Sequence, residues 1–108
     1  MFEKMKDMGN LMKKAKEMKS EMKRIQNELK HLQISAVDKT GLVKVTLTGE
    51  LECIDISIDP SLKTPENNEK CKKAIMQAFN EASKKAKDTA SSKLSVVSQG
   101  LNIPGLGG

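Results

Sequence analysis

An α+β fold follows from two changes of hydrophobic period along the chain. Apolar residues recur every three or four positions over 3–33, every second position over 34–59, and every three or four again over 65–92. These periods belong to a helix, a set of short strands and a second helix. The expected architecture is therefore a two-layer α-β-β-β-α domain, with a three-stranded antiparallel sheet and a long projecting N-terminal helix. A chain of 108 residues has room for one core. That core is expected within a single domain over 1–96, followed by a flexible tail over 97–108.

The first helix carries an apolar stripe of Met5, Met8, Met12, Ala15, Met18, Met22, Ile25, Leu29 and Leu32. The stripe approaches a heptad pattern after Met18, with one irregular three-residue step between Ala15 and Met18. Gly9-Asn10 is a weak point in the first turns. A helix over 3–33 reaches roughly 45 Å, too far for so small a domain to cover. Part of it must project or lie against a partner. The methionines read as core or dimer packing, or as an adaptable surface for partner helices or a membrane interface. The lack of Trp and the acids mixed with lysines argue against the membrane.

Three strands are expected next. Ile34-Ser35-Ala36-Val37 leads into Asp38-Lys39-Thr40-Gly41, a turn signal with Gly available for positive φ. Leu42 to Thr48 alternates, with Val43, Val45 and Leu47 on one face and Lys44, Thr46 and Thr48 on the other. Gly49-Glu50 marks a second turn. Leu51 to Asp59 alternates again, placing Ile54, Ile56 and Ile58 inward. Short strands joined by tight turns make an antiparallel meander with one apolar face.

Asp59-Pro60-Ser61 ends the last strand, because proline cannot extend the ladder. Thr64-Pro65-Glu66 has the form of a helix start: a capping hydroxyl, a proline in the first turn and an early acid. The second helix is expected to reach about Ser92. Its inner face, Cys71, Ala74, Ile75, Ala78, Phe79, Ala82, Ala86 and Ala90, is rich in alanine and permits close approach to a neighbour.

Little in the chain suggests catalysis. His31 is the single histidine, and its place near the end of the first helix suits a helix-end or surface role. Cys53 and Cys71 lack metal-ligand spacing, and both are expected to be buried as small apolar residues. Asp55 and Asp59 on one strand face are better read as solvated than as ion ligands. No glycine-rich phosphate loop precedes a helix. The expectation is a protein that is no enzyme, with no metal, no cofactor and no small-molecule substrate. The opening residues lack a secretory pattern and no apolar run is long enough to span a membrane, so a cytoplasmic protein with reduced thiols is expected.

Charge is the informative feature. The formal net charge is +5, and residues 2–33 hold nine Lys and Arg against five Asp and Glu, while 34–65 hold three against five. A basic excess gathered on the helices favours an anionic partner over evenly spread solubilising charge. Lys13, Lys14, Lys16, Lys19, Lys23 and Arg24 fall within about three turns of the first helix, and Lys84, Lys85, Lys87 and Lys93 lie late in the second. Ammonium groups spaced along a helix can neutralise successive phosphates and release counterions. One arginine and only two aromatic residues, Phe2 and Phe79, leave little to read bases with. The expected partner is double-stranded DNA, held by its backbone with low sequence preference. A solvated helix face remains the plain alternative, since Glu17, Glu21 and Glu28 are interleaved with the lysines.

The chain also resembles a known family. The motifs Gly9-Asn10-Leu11-Met12-Lys13-Lys14-Ala15, Gly41-Leu42-Val43-Lys44-Val45-Thr46 with Gly49, and Ile56-Ser57-Ile58-Asp59-Pro60-Ser61-Leu62 occur in order. Ala78-Phe79-Asn80-Glu81-Ala82 and Gly100-Leu101-Asn102-Ile103-Pro104-Gly105 complete the series. Together they make the chain similar to the small bacterial nucleoid-associated proteins of the YbaB/EbfC family, over nearly its whole length. The resemblance implies a tight homodimer whose strands associate across the two-fold, and long helices that grip duplex DNA. It also implies a role in nucleoid organisation or gene expression. Val43, Val45, Leu47, Ile54 and Ile56 are then the expected dimer-interface residues. The reading from a different class is a protein-interaction scaffold that docks a partner on the Met-rich helix stripe.

Overall fold

The computed structural model describes residues 2–101, with side-chain surroundings for 8–97. Helix α1 spans Phe2–His31, followed by strands β1 (Gln33–Val37), β2 (Val43–Thr48) and β3 (Cys53–Ile58). Two 3-10 turns, Pro60–Leu62 and Pro65–Asn67, lead into helix α2, Asn68–Leu101. The strands form one antiparallel sheet in the order β1-β2-β3. The expected α-β-β-β-α order is present, and α1 passes through Gly9-Asn10 without a break.

The core lies between α2 and only part of the sheet. Ala74, Ala78, Ala82 and Ala86 are buried at four-residue steps, and they bring the α2 backbone down onto β1 and β2. Beneath them Val43, Val45 and Leu47 are 0% exposed. Each such burial contributes roughly 1.5–3 kcal/mol. Small residues on the helix suit large ones on the strand, because the pair fills the gap without voids.

Strand β3 is placed differently. Ile56 pairs with Val45 and Ile58 with Val43, so they share the face that α2 covers on β2. A bulge at Thr46/Leu47 pairs Leu47 with Cys53 and leaves Ile54 as the additional residue on β3. The expected inward position of these side chains holds for the face but not for the cover. Ile58 packs on the core, whereas Ile54 and Ile56 are 45% and 43% exposed because α2 does not extend over β3. Cys53 is exposed for the same reason, contrary to the burial expected of it.

Both turns differ in their chemistry. At the β1–β2 turn the Asp38 carboxylate accepts from the backbone N–H groups of Val43 (3.0 Å) and Thr40 (3.2 Å) and from the Thr40 hydroxyl. Those donors, the Thr40 hydroxyl foremost, hold the Asp38 carboxyl below the usual carboxylate range. Gly41 takes the positive φ expected of it, 76°. At the β2–β3 turn the positive φ falls on Leu51 instead. Gly49 serves a different need there: a Cβ would lie 2.7 Å from the Leu29 carbonyl oxygen, to which the Gly49 N–H donates at 2.8 Å. The bare glycine lets the sheet meet the last turn of α1. Thr46 and Thr48, expected on the polar face, are buried; the Thr46 hydroxyl bonds Ser35, and that of Thr48 accepts from the N–H groups of Glu50 and Glu52.

Two expectations about α2 need correction. Thr64 does not cap it: its side chain makes no cap hydrogen bond, and Pro65 opens a 3-10 turn before the α-helix starts at Asn68. Nor does α2 stop near Ser92, since it continues to Leu101 and carries Val97 onto Ile25 and Leu29 of α1. The part of the supposed tail up to Leu101 is thus helical, and 102–108 lie outside the described residues. Leu32 and Ala90 pack on the same cluster. Beyond it both helices leave the sheet. The radius of gyration is 21.1 Å and the longest extent 77 Å, whereas a compact chain of this length would have a radius of about 13 Å.

Candidate nucleic-acid interface

The face of α1 that meets α2 is set by Ile25 and Leu29, which are buried. Helical spacing then places every other α1 residue relative to that line. Lys16, Lys23 and Lys30 are seven residues apart and fall on the opposite side, with Lys19 at its margin; all four are exposed. They stand about 10.5 Å apart along the helix axis, close to the rise of three base pairs at 3.4 Å per phosphate on one strand. Lys13 is exposed on the same outward side, about 60° around the helix from Lys16; Lys14 is exposed too, but it lies beside the buried line. Lys30 belongs to the line although charge clustering alone did not single it out. Its seven-residue distance from Lys23 was the available signal.

The acids gather elsewhere. Glu17, Glu21 and Glu28 repeat at four and seven residues on a neighbouring face, and Arg24 lies among them. Its guanidinium binds Glu21 at 2.7 Å and Glu28 at 2.6 Å, and it holds the Glu21 carboxyl below the usual carboxylate range. Glu28 also accepts from Lys93 of α2 at 3.2 Å, joining the two helices. Of the ten cations expected to meet DNA, Arg24 and Lys93 are therefore engaged inside the chain itself. Lys85 donates to the Ser35 carbonyl at 3.4 Å on the β1 edge. Among the described residues, Lys13, Lys14, Lys16, Lys19, Lys23, Lys84 and Lys87 form no ion pair.

His31 sits in the last turn of α1, where its Nδ1 donates to the Asn27 carbonyl at 2.8 Å. That is the helix-end role expected of it. Asp59 binds the Ser61 N–H at 2.9 Å and closes the first 3-10 turn. Among the described residues no His, Cys, Asp or Glu cluster suits a metal ion, and no helix is long and apolar enough to cross a membrane.

The sequence matches the YbaB/EbfC DNA-binding family over residues 5–101. The chain belongs to this family. It is 42% identical over 100 residues to a protein of Bartonella bacilliformis named as a nucleoid-associated protein, and the match takes in 93% of each chain. The crystal structure of an uncharacterized protein from Helicobacter pylori has a similar fold, with a TM-score of 0.67 and 26% identity over 79% of this chain and 86% of that one. The family is described by DNA binding and not by a reaction.

Within this family member the five expected dimer-interface residues divide in two. Val43, Val45 and Leu47 have no surface to offer a partner, because α2 already covers them. Ile54 and Ile56 do have surface. Phe79 is exposed as well, on the flank of α2 opposite to Gln77 and Lys85, which bond the β1 side, and Met76 is exposed on the outer side of the helix. This uncovered apolar edge was not legible from strand alternation alone.

Proposed function

We propose that the chain is a nucleoid-associated protein that binds duplex DNA as a homodimer, mainly through backbone contacts with low sequence preference. It would act at the nucleoid in the cytoplasm, organising DNA and influencing gene expression. The observation that carries this reading is the row of exposed, unengaged lysines on α1, Lys16, Lys23 and Lys30 with Lys19 beside them. The acids of the same helix lie on another face and are partly neutralised by Arg24 and Lys93. A rigid rod with segregated charge presents ammonium groups to phosphates without first having to break ion pairs. Guanidinium and aromatic groups suited to base recognition are scarce, which favours contacts to the backbone.

Support for the homodimer comes from β3. An edge strand with exposed isoleucines is an aggregation hazard unless something covers it, and Phe79 of α2 is exposed as well. A second copy, related by a two-fold axis, would cover both edges at once.

Fluorescence anisotropy with a labelled duplex tests the reading. A dimer neutralising ~6–10 phosphates should lose ~10³–10⁵-fold in affinity between 50 and 200 mM salt. The combined change of Lys16, Lys23 and Lys30 to Glu should abolish binding at 50 mM salt while leaving helix content unchanged. Arg24→Ala should change affinity little. A salt titration without slope, or binding that survives the triple reversal, would overturn the proposal.

A further inference from the structure

The line fixed by Ile25 and Leu29 alters the reading of the α1 stripe. Extended toward the N-terminus it runs through Met8, Leu11, Ala15, Met18, Met22, Ile25, Leu29 and Leu32, with Leu11 in place of Met12. The steps alternate three and four without interruption, so the irregular step disappears. A seam of this kind calls for a second helix along its whole length. In the half nearer the sheet α2 provides one, through Val97 and Ala90 against Ile25, Leu29 and Leu32. In the other half Met8 and Leu11 are 64% and 59% exposed, and Met18 and Met22 are half-buried. Met5 lies outside the residues with described side chains.

We infer that the Met8–Met22 half of the seam is a docking surface for α1 of a second copy, laid antiparallel. Charge complementarity selects both the occupant and its direction. Lys14 and Glu21 flank the seam on one side, and Met12 and Lys19 on the other. In an antiparallel pair, Ala15 packs on Met18 of the second copy and Leu11 on its Met22, so residues of the same flank meet. Lys14 then faces Glu21 of the second copy, and Glu21 faces its Lys14. The stem of Lys19 lies against Met12. A parallel pair would instead oppose Lys14 to Lys19 of the second copy, twice. The Glu21 carboxylate is bound by Arg24 on its other side, but it is half-exposed and has lone pairs to spare.

Ala15 at the centre lets the helices approach, and methionines on either side adapt to the contact. The stretch that overlaps in this register, Leu11 to Met22, is about 16 Å long, and its area is below the roughly 1,200 Å² of a standard stable interface. The association is therefore weak and concentration-dependent. Pairing through the seam leaves Lys16, Lys23 and Lys30 of both copies on outward faces, so the pair carries two separate basic rows.

Cysteine cross-linking of the full chain without DNA, in a Cys53→Ser/Cys71→Ser background, tests the geometry. A mixture of the Ala15→Cys and Met18→Cys proteins should give a disulfide-linked pair on oxidation, and neither protein should do so alone. Cross-linking of either protein with itself would mean parallel helices and overturn the orientation. No cross-link in the mixture, with helix content intact, would overturn self-docking altogether. Charge reversal supplies an independent readout. Lys14→Glu should weaken the association roughly tenfold in sedimentation equilibrium, and Lys14→Glu/Glu21→Lys should restore it. An unchanged constant in the single variant would count against the pairing. Repeating both measurements with Ile56→Asp separates this contact from association through β3, because the seam cross-link should persist there.

Discussion

Strands β2 and β3 are hydrogen-bonded neighbours with the same alternation of apolar and polar residues, and they have opposite surroundings. Val43, Val45 and Leu47 on β2 are wholly enclosed; Ile54 and Ile56 on β3 stand open. Neither local propensity nor register accounts for this, since Ile56 lies directly beside Val45. The position of α2 does, because the helix crosses β1 and β2 and stops short of β3. Alternation specifies which side of a strand is apolar. It leaves open whether the cover comes from the same chain or from another molecule.

One substitution on each strand should have opposite consequences. Leu47→Ala leaves a cavity under the α2 alanines and should cost about 2–5 kcal/mol, read as a shifted midpoint in urea unfolding. Ile56→Asp should leave helix content unchanged, because the Ile56 side chain lies outside the core of the chain. Its effect should appear in association, with the dimer dissociation constant raised roughly 100-fold, as expected for a charge placed in an apolar contact. If Ile56→Asp stays folded and the dimer constant is unchanged, β3 is not a docking edge.

These contrasts also mark how far sequence reasoning reached. The two helices, the meander, the alanine face and the positive φ of Gly41 follow from period and turn chemistry, which are local. The row Lys16–Lys23–Lys30 was legible too, as a seven-residue repeat, and so was the Glu21–Arg24–Glu28 spacing that engages the arginine. The seam was harder to trace. Met8 to Leu11 and Met8 to Met12 are both helical steps, and only the contacts of Ile25 and Leu29 with α2 show which line continues. The end of α2 was hidden because Gly100 and Pro104 suggest a tail, whereas Val97 gains a partner on α1 that lies far off in sequence. Exposure of Cys53, Ile54 and Ile56 depends likewise on which strands a distant helix lies over.

Gly49 sits at the turn between the two strands. A methyl group there would meet the Leu29 backbone, with the carbonyl oxygen at 2.7 Å and Cα at 2.9 Å. Backbone cannot rotate away as a side chain can. Gly49→Ala should therefore push α1 off the sheet and cost about 1–3 kcal/mol, seen as a lower thermal midpoint. Faster amide exchange at Gly49, whose N–H donates to Leu29, should accompany it. Leu51→Gly in the same turn should act in the opposite direction, because φ there is 72° and glycine adopts it without strain.

The smallest effect, and the most selective, concerns the aspartates that close β2 and β3. Asp38 is buried and accepts from the N–H of Val43, the first residue of β2, whereas Asp59 is exposed and accepts from Ser61 beyond the end of β3. Donors to each carboxylate hold its pKa below the usual range, at Asp38 chiefly the Thr40 hydroxyl and at Asp59 chiefly the Ser61 N–H. A carboxyl whose folded pKa is depressed contributes stability above its unfolded pKa, near pH 4. That contribution fades as pH falls from about 4 through the lower folded value. Asp38→Asn removes the ionisation but keeps an acceptor for Val43, so it should cost about 1 kcal/mol at pH 7 and flatten the fall in stability below pH 4. Asp59→Asn should flatten it less, because water can replace an exposed partner. Equal flattening by the two variants would mean that the enclosure of β2 confers no electrostatic advantage over the open edge of β3.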